Sequence, residues 1–167
     1  MMIPSFTLTA RTRVDNAPVP YVELAKYLGR WYEIARFDKS FERGIFNTTA
    51  IYELRPDGKV RVTNAGWKNG LQVSSEGVAF RPDPERQPGW MRVSFFRPFY
   101  SDYRILMVDD EYSYALVGSG SNRYLWILSR DPVLEGKKLD KVLFEAEARG
   151  YDTDKLLWID QSRNEKR

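Results

Sequence analysis

The sequence predicts an all-β domain: an eight-stranded, up-and-down antiparallel barrel with one C-terminal α-helix packed outside it and a short ninth strand. From residue 29 onward, short β-like runs alternate with turn signals at a spacing typical of an antiparallel sandwich or barrel. After Asp131 the apolar pattern changes once, to a helical period. With 167 residues, 43% of them hydrophobic, the chain can bury the core of one ordinary domain.

The eight strand-like runs follow one another without an intervening helix. Turn signals such as RPDG (55–58) and KNG (68–70) close them, so the connections are short, as antiparallel up-and-down neighbours require. Closing the runs into a barrel removes the exposed sheet edges. We assign the runs to residues 31–38, 49–54, 59–66, 71–80, 90–96, 103–108, 112–118 and 123–129.

One amphipathic helix is predicted after the eighth run, because apolar residues recur there at helical spacing between Lys and Glu residues. These apolar residues are Leu139, Val142, Leu143 and Ala146. The helix ends near Gly150, and a last short strand follows at 156–159. Before the first run, residues 21–28 fit one short helical turn.

We divide the chain into an extended N-terminal arm (1–20), a barrel domain (21–161) and a C-terminal tail (162–167). The arm is polar and holds three prolines, which favour extended backbone. It lacks the basic region and long apolar stretch of an ordinary signal peptide, although the natural start could lie upstream. No apolar stretch approaches the roughly 20 residues that span a bilayer.

Composition excludes several kinds of function. The chain holds no Cys and no His, so disulfides and thiol catalysis are excluded, and the commonest general base and zinc ligand are missing. The net charge is +3, from 26 basic and 23 acidic residues, without a long Lys/Arg run. We therefore expect no nucleic-acid partner, no metal and no cofactor.

Alternation along the runs predicts which side chains face the inside of the barrel. In the first run we place Glu33, Ala35 and Phe37 inside, because Arg36 prefers water. Small and polar residues among larger apolar ones leave space for one small ligand. The predicted ligand-binding residues are Glu33, Ala35, Phe37, Tyr52, Val62, Asn64, Ser75, Gly77, Met91, Val93, Phe95, Tyr103, Ile105, Met107, Ala115, Val117, Tyr124 and Trp126.

Several segments resemble the lipocalin family, and within it the bacterial outer-membrane lipocalins close to apolipoprotein D. GRWYE (29–33) carries the family's Gly-x-Trp signature at the start of the first strand. DDEYSYALV (109–117) and YLWILSR (124–130) resemble its second and third signatures. Subfamily-like segments are YLGRWYEIARFDKSFERG (27–44), VSFFRPFYSDY (93–103) and GYDTDKLLWIDQ (150–161).

The resemblance implies a lipocalin barrel that binds a small hydrophobic ligand of the fatty acid or lysophospholipid class. Its role would be transport or storage, without enzyme activity. The subfamily usually resides in the bacterial cell envelope, in the periplasm or at the outer membrane, often through a lipidated N-terminal Cys. This chain lacks that Cys, so a soluble or cytoplasmic form is an alternative.

Four signature residues are implied to support the fold: Gly29, Trp31, Asp109 and Arg130. The eighth run returns to the end of the barrel where Trp31 sits. Arg130 would then lie over the Trp31 ring and close the barrel floor by a cation–π contact. Asp109 would hold backbone donors in a tight turn.

The segment SFFRPFYSDY (94–103) falls in the turn after the fifth run, at the predicted mouth of the barrel. Phe99 and Tyr100 would ride the rim, and Arg97 would form a basic collar for a carboxylate or phosphate head. The other collar cations are Lys39, Arg43, Lys68 and Arg123. Peripheral contact with a membrane, a lid, or a contact between the subunits of a homodimer are the open roles of this rim.

Two other functions stay open at this point. One is a structural or partner-binding protein with a filled barrel, which a structure without a cavity would favour. The other is an enzyme acting on a hydrophobic substrate, although Glu33 has no evident catalytic partner. Glu33 would instead bond to Tyr or water, or orient the head of a ligand.

Overall fold

Nine strands, two α-helices and one 3-10 turn make up the fold in a computed structural model, which describes residues 13–165. The predicted barrel strands, outer helix and ninth strand are confirmed. In chain order the elements are α1 (Leu24–Tyr27), β1 (Gly29–Phe37), β2 (Phe46–Leu54), β3 (Val60–Lys68), β4 (Leu71–Phe80), β5 (Trp90–Phe96), β6 (Phe99–Val108), β7 (Tyr114–Gly118), β8 (Leu125–Ser129), α2 (Gly136–Ala148), the 3-10 turn (Thr153–Lys155) and β9 (Leu156–Trp158).

Antiparallel pairing joins β2 through β8 in sequence order and then β1 and β9, and a further β1–β2 pairing closes the barrel. Residues 29–32 of β1 pair with β2, whereas residues 35–37 pair with β9, which lies outside the closed barrel. Gln161 connects β1 and β2 at the point where the two strands separate. Its side-chain amide donates to the carbonyls of Glu33 at 2.7 Å and Thr48 at 2.9 Å.

Four β-bulges, in β1, β2, β5 and β6, interrupt the alternation of inward and outward side chains. The register of β1 with β8 shifts between Glu33 and Ala35, and that of β6 with β7 shifts between Ile105 and Met107. Each bulge adds one residue to its strand, so every residue beyond it changes face. This inversion decides which side chains reach the interior.

Two hydrophobic cores lie on opposite sides of the barrel wall. The inner core comprises Val22, Tyr27, Trp31, Tyr52, Val60, Val62, Ala79, Met91, Val93, Ile105, Ala115, Val117 and Leu128. The outer core, between the wall and α2, comprises Ile34, Ala35, Phe37, Leu106, Tyr114, Leu116, Leu125, Ile127, Val142, Ala146, Tyr151 and Leu156. The helix is therefore held by apolar burial against the outer face of the sheet.

The closed end of the barrel is sealed by Arg130, as the sequence predicted. Its guanidinium carbon lies 3.9 Å from the centroid of the Trp31 ring. Gly29 has a φ of +98°, and a Cβ atom there would lie 3.2 Å from Nη1 of Arg130. Glycine thus supplies both the left-handed backbone and the room for the guanidinium. Arg130 also donates to the carbonyls of Lys26, Tyr27, Leu28, Arg30 and Tyr112.

The turn from β6 to β7 is held by Asp109. Its carboxylate accepts hydrogen bonds from the backbone N–H groups of Ser113 at 2.6 Å and Tyr114 at 3.0 Å. This is the tight turn expected from the sequence, so Asp109 has a structural role.

The described parts of both termini pack on the barrel. The N–H of Asp15 donates to the carbonyl of Arg149 at 2.7 Å, and that of Val19 donates to Ile105 at 2.8 Å. Near the C-terminus, the guanidinium of Arg163 lies 4.2 Å from the centroid of the Trp67 ring. The remainder of the predicted arm and tail, 1–12 and 166–167, lies outside the described residues.

Three strands begin earlier than predicted, the first of them β1, which starts at Gly29 instead of 31. β2 starts at Phe46 instead of 49, and β6 starts at Phe99 instead of 103. Phe96 and Phe99 are paired across the hairpin whose turn is Arg97-Pro98. Aromatic residues favour strands, and here that preference extends the ladder almost to the proline. The aromatic segment at the mouth is therefore a hairpin tip with a very short turn.

Candidate ligand-binding cavity

The barrel encloses a cavity of about 610 Å³, within the range of roughly 300–1,000 Å³ found for small-molecule sites. It extends to the β1–β2 loop at Phe41 and to the β5–β6 hairpin at Phe96 and Phe99. Many predicted residues line it: Glu33, Tyr52, Val62, Asn64, Ser75, Val93, Phe95, Tyr103, Val117 and Trp126.

Four other predicted ligand-binding residues lie inside the barrel but not at the cavity surface. Met91, Ile105 and Ala115 are buried in the inner core. Gly77 lies behind Phe95, because a Cβ atom on Gly77 would approach Cδ1 of that ring to 2.8 Å. These positions shape the cavity from behind its wall.

The inward placement of Ala35, Phe37 and Met107 is wrong. Ala35 and Phe37 belong to the outer core and Met107 packs against it, because the bulges in β1 and β6 invert the alternation at these positions. The water-facing placement of Arg36 is wrong for the same reason. Arg36 is fully buried and lies opposite the cavity-lining Trp126 in the β1–β8 register.

Several cavity residues were not identified from the sequence. Phe41, Glu42 and Ile45 belong to the loop between β1 and β2, where strand alternation gives no signal. Thr48 lies in the part of β2 that the sequence left outside the strand, and Phe96 was assigned no role. For the three loop residues, only the mixture of polar and apolar side chains in the loop could have indicated that they belong to the site.

A buried ionic cluster forms one side of the cavity wall. Nη1 of Arg36 donates to Oε1 of Glu33 at 2.8 Å, and Nε donates to Oδ1 of Asp38 at 3.2 Å. Nη2 donates to the carbonyls of Glu42 and Ile45, both at 2.9 Å. The Glu42 carboxylate lies 3.7 Å from Nη1. One guanidinium thus faces three carboxylates, two of which, Glu33 and Glu42, line the cavity.

Burial raises the pKa of Glu33 well above its ordinary value, and the nearby Glu42 carboxylate raises it further, against the opposing effect of Arg36. Desolvation disfavours the charged form of a carboxyl group, and a second negative charge does the same. Glu33 therefore holds a proton more readily than an ordinary glutamate does.

Aromatic rings stand beside this cluster. The indole N–H of Trp126 donates to Oε1 of Glu42 at 2.8 Å. Tyr124, a predicted ligand-binding residue, stacks on Trp126 at a centroid distance of 5.9 Å and also neighbours Phe41 at 6.2 Å. Nζ of Lys39 lies 5.7 Å from the Tyr124 ring centroid. Tyr124 consequently supports the cavity wall near the mouth.

Three tyrosine hydroxyls meet on the inner side of the barrel. The hydroxyl of Tyr103 lies 2.6 Å from that of Tyr27 and 2.9 Å from that of Tyr52. Burial raises the pKa of Tyr52 to about 12 and raises the pKa values of Tyr27 and Tyr103 well above the ordinary value. Tyr52 and Tyr103 line the cavity, so this trio gives it a neutral polar patch.

The predicted portal residues separate into different environments. Phe99 lines the cavity, and Arg97 and Arg123 are exposed. Nε of Arg43 lies 3.6 Å from the Asp38 carboxylate. Tyr100 was expected to ride the rim but packs edge-on against Phe80, with ring centroids 5.4 Å apart. Since successive residues of β6 alternate, Tyr100 points away from the cavity when Phe99 points toward it.

Over residues 13–165, no cluster of three or more acidic side chains is arranged to hold a metal ion. In the same range, neither helix has the length and apolar character required to cross a bilayer.

Comparisons with known proteins agree with this architecture. The sequence pattern of the family described as Lipocalin-like domain matches residues 22–161. Outer membrane lipoprotein Blc of Vibrio cholerae serotype O1 is 44% identical over 147 residues, covering 86% of this chain and 85% of the relative. Apolipoprotein D of Rattus norvegicus is 33% identical over 162 residues, covering 89% and 84%.

A solved structure also matches. Insecticyanin from the tobacco hornworm Manduca sexta superposes with a TM-score of 0.72 at 26% identity, covering 87% of this chain and 84% of that one. This chain therefore belongs to the lipocalin family, whose members bind small hydrophobic ligands.

Proposed function

We propose that this protein binds a small hydrophobic ligand, of the fatty acid or lysophospholipid class, inside the barrel and transports or stores it. The observation that carries the proposal is the cavity of about 610 Å³, whose wall is largely apolar and which extends to the mouth. Each buried methylene group of an acyl chain contributes about 0.8 kcal/mol. A filled, purely structural barrel is disfavoured by this open volume.

The polar groups of the cavity support binding without chemistry. Glu33 and Glu42 are engaged by Arg36 and Trp126, and the tyrosine hydroxyls engage one another. A catalytic acid or base needs a reacting atom within reach and a partner that sets its protonation. We accordingly propose a carrier and not an enzyme.

The ligand would enter at the aromatic rim, which we define as Phe41, Phe96 and Phe99. All three line the cavity and remain exposed, with Phe96 at 81% and Phe99 at 76% exposure. Exposed apolar patches of this kind mark interaction sites. Arg97, at the hairpin tip, adds a positive charge that would attract an anionic lipid surface. We propose that the rim contacts such a surface during loading.

The bacterial cell envelope is the setting we propose, because relatives 43–45% identical to this chain are named outer membrane lipoproteins. Fractionation of the host's cells, followed by immunodetection, checks this proposal. Recovery of the protein solely in the cytoplasmic fraction would contradict it.

Sedimentation of the purified protein separately decides between a monomer and a homodimer.

Native mass spectrometry of protein purified from its own host tests the proposed function. We expect one lipid per chain. After delipidation, added fatty acid or lysophospholipid should change the tryptophan fluorescence, and a Trp126→Phe variant should lose most of that response because Trp126 lines the cavity. The absence of both retained lipid and fluorescence change would contradict the proposal.

A further inference from the structure

We propose that the cavity prefers an amphiphile with an ammonium head over one with a carboxylate head, and that Glu33, Glu42 and Trp126 receive this head. The inference rests on the proposed function, because it concerns the head of the ligand whose chain the same cavity would bury. Of the ligand classes proposed above, free fatty acids would then bind the more weakly.

The first argument is the charge of the cavity wall. Among the lining residues in the described part of the chain, Glu33 and Glu42 carry carboxyl groups, and neither Lys nor Arg is included. Arg36 is buried, and each of its nitrogens already bonds to protein. An anionic head would have to displace a carboxylate from Arg36 to reach its guanidinium, and this would leave the displaced charge unpaired.

The second argument is the charge balance of the buried cluster. One guanidinium faces the carboxylates of Glu33, Asp38 and Glu42. Arg43 also lies 3.6 Å from the Asp38 carboxylate, so three carboxylates face two guanidinium groups and leave one excess negative charge when Glu33 is ionised. Burial and Glu42 raise the pKa of Glu33, which agrees with this excess. A cationic ligand head at the wall would compensate this excess negative charge.

The third argument is the aromatic face next to the carboxylates. Phe41 and Trp126 line the cavity, and Trp126 is fixed to Glu42 by its indole N–H at 2.8 Å. Aromatic faces attract ammonium groups within about 6 Å of the ring centroid. On the neighbouring ring of Tyr124, Nζ of Lys39 already makes such a contact at 5.7 Å. Carboxylates and aromatic faces together favour an organic ammonium group.

The fourth argument is an unpartnered hydroxyl at the same wall. Thr48 is 7% exposed, lines the cavity, and within the described residues its Oγ1 has no hydrogen-bond partner. It lies where the register of β2 with β3 shifts, between Phe46 and Thr49, and the amide of Gln161 bonds to the carbonyls of both Glu33 and Thr48. An N–H donor on the ligand head would satisfy this hydroxyl, which can also donate to an oxygen, so Thr48 supports a polar head at this wall and the carboxyl groups of Glu33 and Glu42 set its preferred charge.

Three probes with the same twelve-carbon chain test the inference: dodecylamine, dodecanol and dodecanoate. Affinities are measured at pH 7 by calorimetry on delipidated protein, below the concentration at which each probe aggregates. We expect dodecylamine to bind about tenfold more tightly than dodecanoate, a difference of about 1.4 kcal/mol. Glu42→Gln should remove most of this preference, judged by the ratio of dodecylamine to dodecanol affinity.

The matched control is Glu53→Gln, because Glu53 is exposed on β2 and pairs with Arg61 outside the cavity. This variant should retain the wild-type preference. Dodecanol binding reports that each variant still folds with an open cavity. If Glu42→Gln fails that check, Glu33→Gln is judged by the same ratio of amine to alcohol affinity.

Equal or tighter binding of dodecanoate by the wild-type protein would overturn the inference. An unchanged preference for dodecylamine over dodecanoate in a Glu42→Gln or Glu33→Gln variant that still binds dodecanol would also overturn it. Failure of all three probes to bind has a different meaning, because dodecanol needs only the apolar cavity. That result would contradict the proposed function and the inference together.

Discussion

At the closed end of the barrel, aromatic rings are buried and their polar atoms are paired, whereas at the mouth Phe96 and Phe99 are exposed to solvent. The Trp31 ring packs against the guanidinium of Arg130, and its indole N–H donates to the carbonyl of Tyr27 at 2.8 Å. The same residue types therefore stabilise the fold at one end and leave an apolar surface for a ligand at the other. Changes at the two ends should separate stability from binding.

The largest effect is expected from Trp31→Ala. Removing a fully buried Trp leaves a cavity under Arg130, so the free energy of unfolding should fall by about 3–5 kcal/mol. Urea denaturation followed by circular dichroism measures this change. Trp158→Ala, on the partly exposed outer strand β9, is the matched control and should lose far less. Equal losses would show that the closed end is not the main source of stability.

The next effect concerns alkaline pH. Between the ordinary tyrosine pKa of 10 and the value of about 12 for Tyr52, the unfolded chain releases a proton that the folded chain keeps. Stability is therefore fully present below pH 10 and falls as pH rises, by about 1.4 kcal/mol per pH unit for each such group. Denaturation from pH 9 to 12 measures the slope.

Tyr52→Phe should make this alkaline slope shallower, because it removes a buried hydroxyl whose pKa is raised. An identical slope in wild-type and Tyr52→Phe protein would contradict the role given to the buried hydroxyl of Tyr52.

At the mouth, Phe99→Ala combined with Arg97→Gly should weaken lipid binding by about tenfold, because an apolar ring at the cavity entrance is lost. The free energy of unfolding should change by no more than about 0.5 kcal/mol, since both side chains are exposed. Fluorescence titration with lysophospholipid measures the affinity. Phe144→Ala, at an exposed ring on α2, is the control, and unchanged affinity in the double variant would refute the portal.

The smallest effect is expected from Arg43→Ala. Arg43 is exposed and pairs with Asp38 at 3.6 Å, and such surface ion pairs contribute about 0–1 kcal/mol. Thermal denaturation should therefore show little change. A loss of several kcal/mol would mean that Arg43 belongs to the buried cluster around Arg36.

The sequence predicted the closed end more accurately than the open end, for physical reasons. Strand order places Arg130 at the same end of the barrel as Trp31, since β8 must return to the start of β1, and the family signatures implied their contact. The faces of Ala35, Phe37 and Met107 depend on bulges, which insert one residue without a distinctive sequence signal.

The burial of Arg36 shows why the usual preference of arginine for water did not predict the position of this side chain. Its guanidinium is buried because Glu33, Asp38 and two loop carbonyls supply partners for its donors. Those partners include the β1–β2 loop, whose path over the cavity cannot be read from strand alternation. Phe41 and Glu42 were missed for the same reason.

The central proposal, that a ligand occupies the barrel, is tested most directly by native mass spectrometry of delipidated protein titrated with a lauroyl lysophospholipid. Ala50 lines the cavity, so Ala50→Trp should obstruct it, while Phe144→Trp adds an indole on the outer helix face. We predict one lipid per chain in wild-type and Phe144→Trp protein and at least about tenfold weaker binding in Ala50→Trp. Equal occupancy in all three proteins would place the lipid outside the barrel and contradict the proposal.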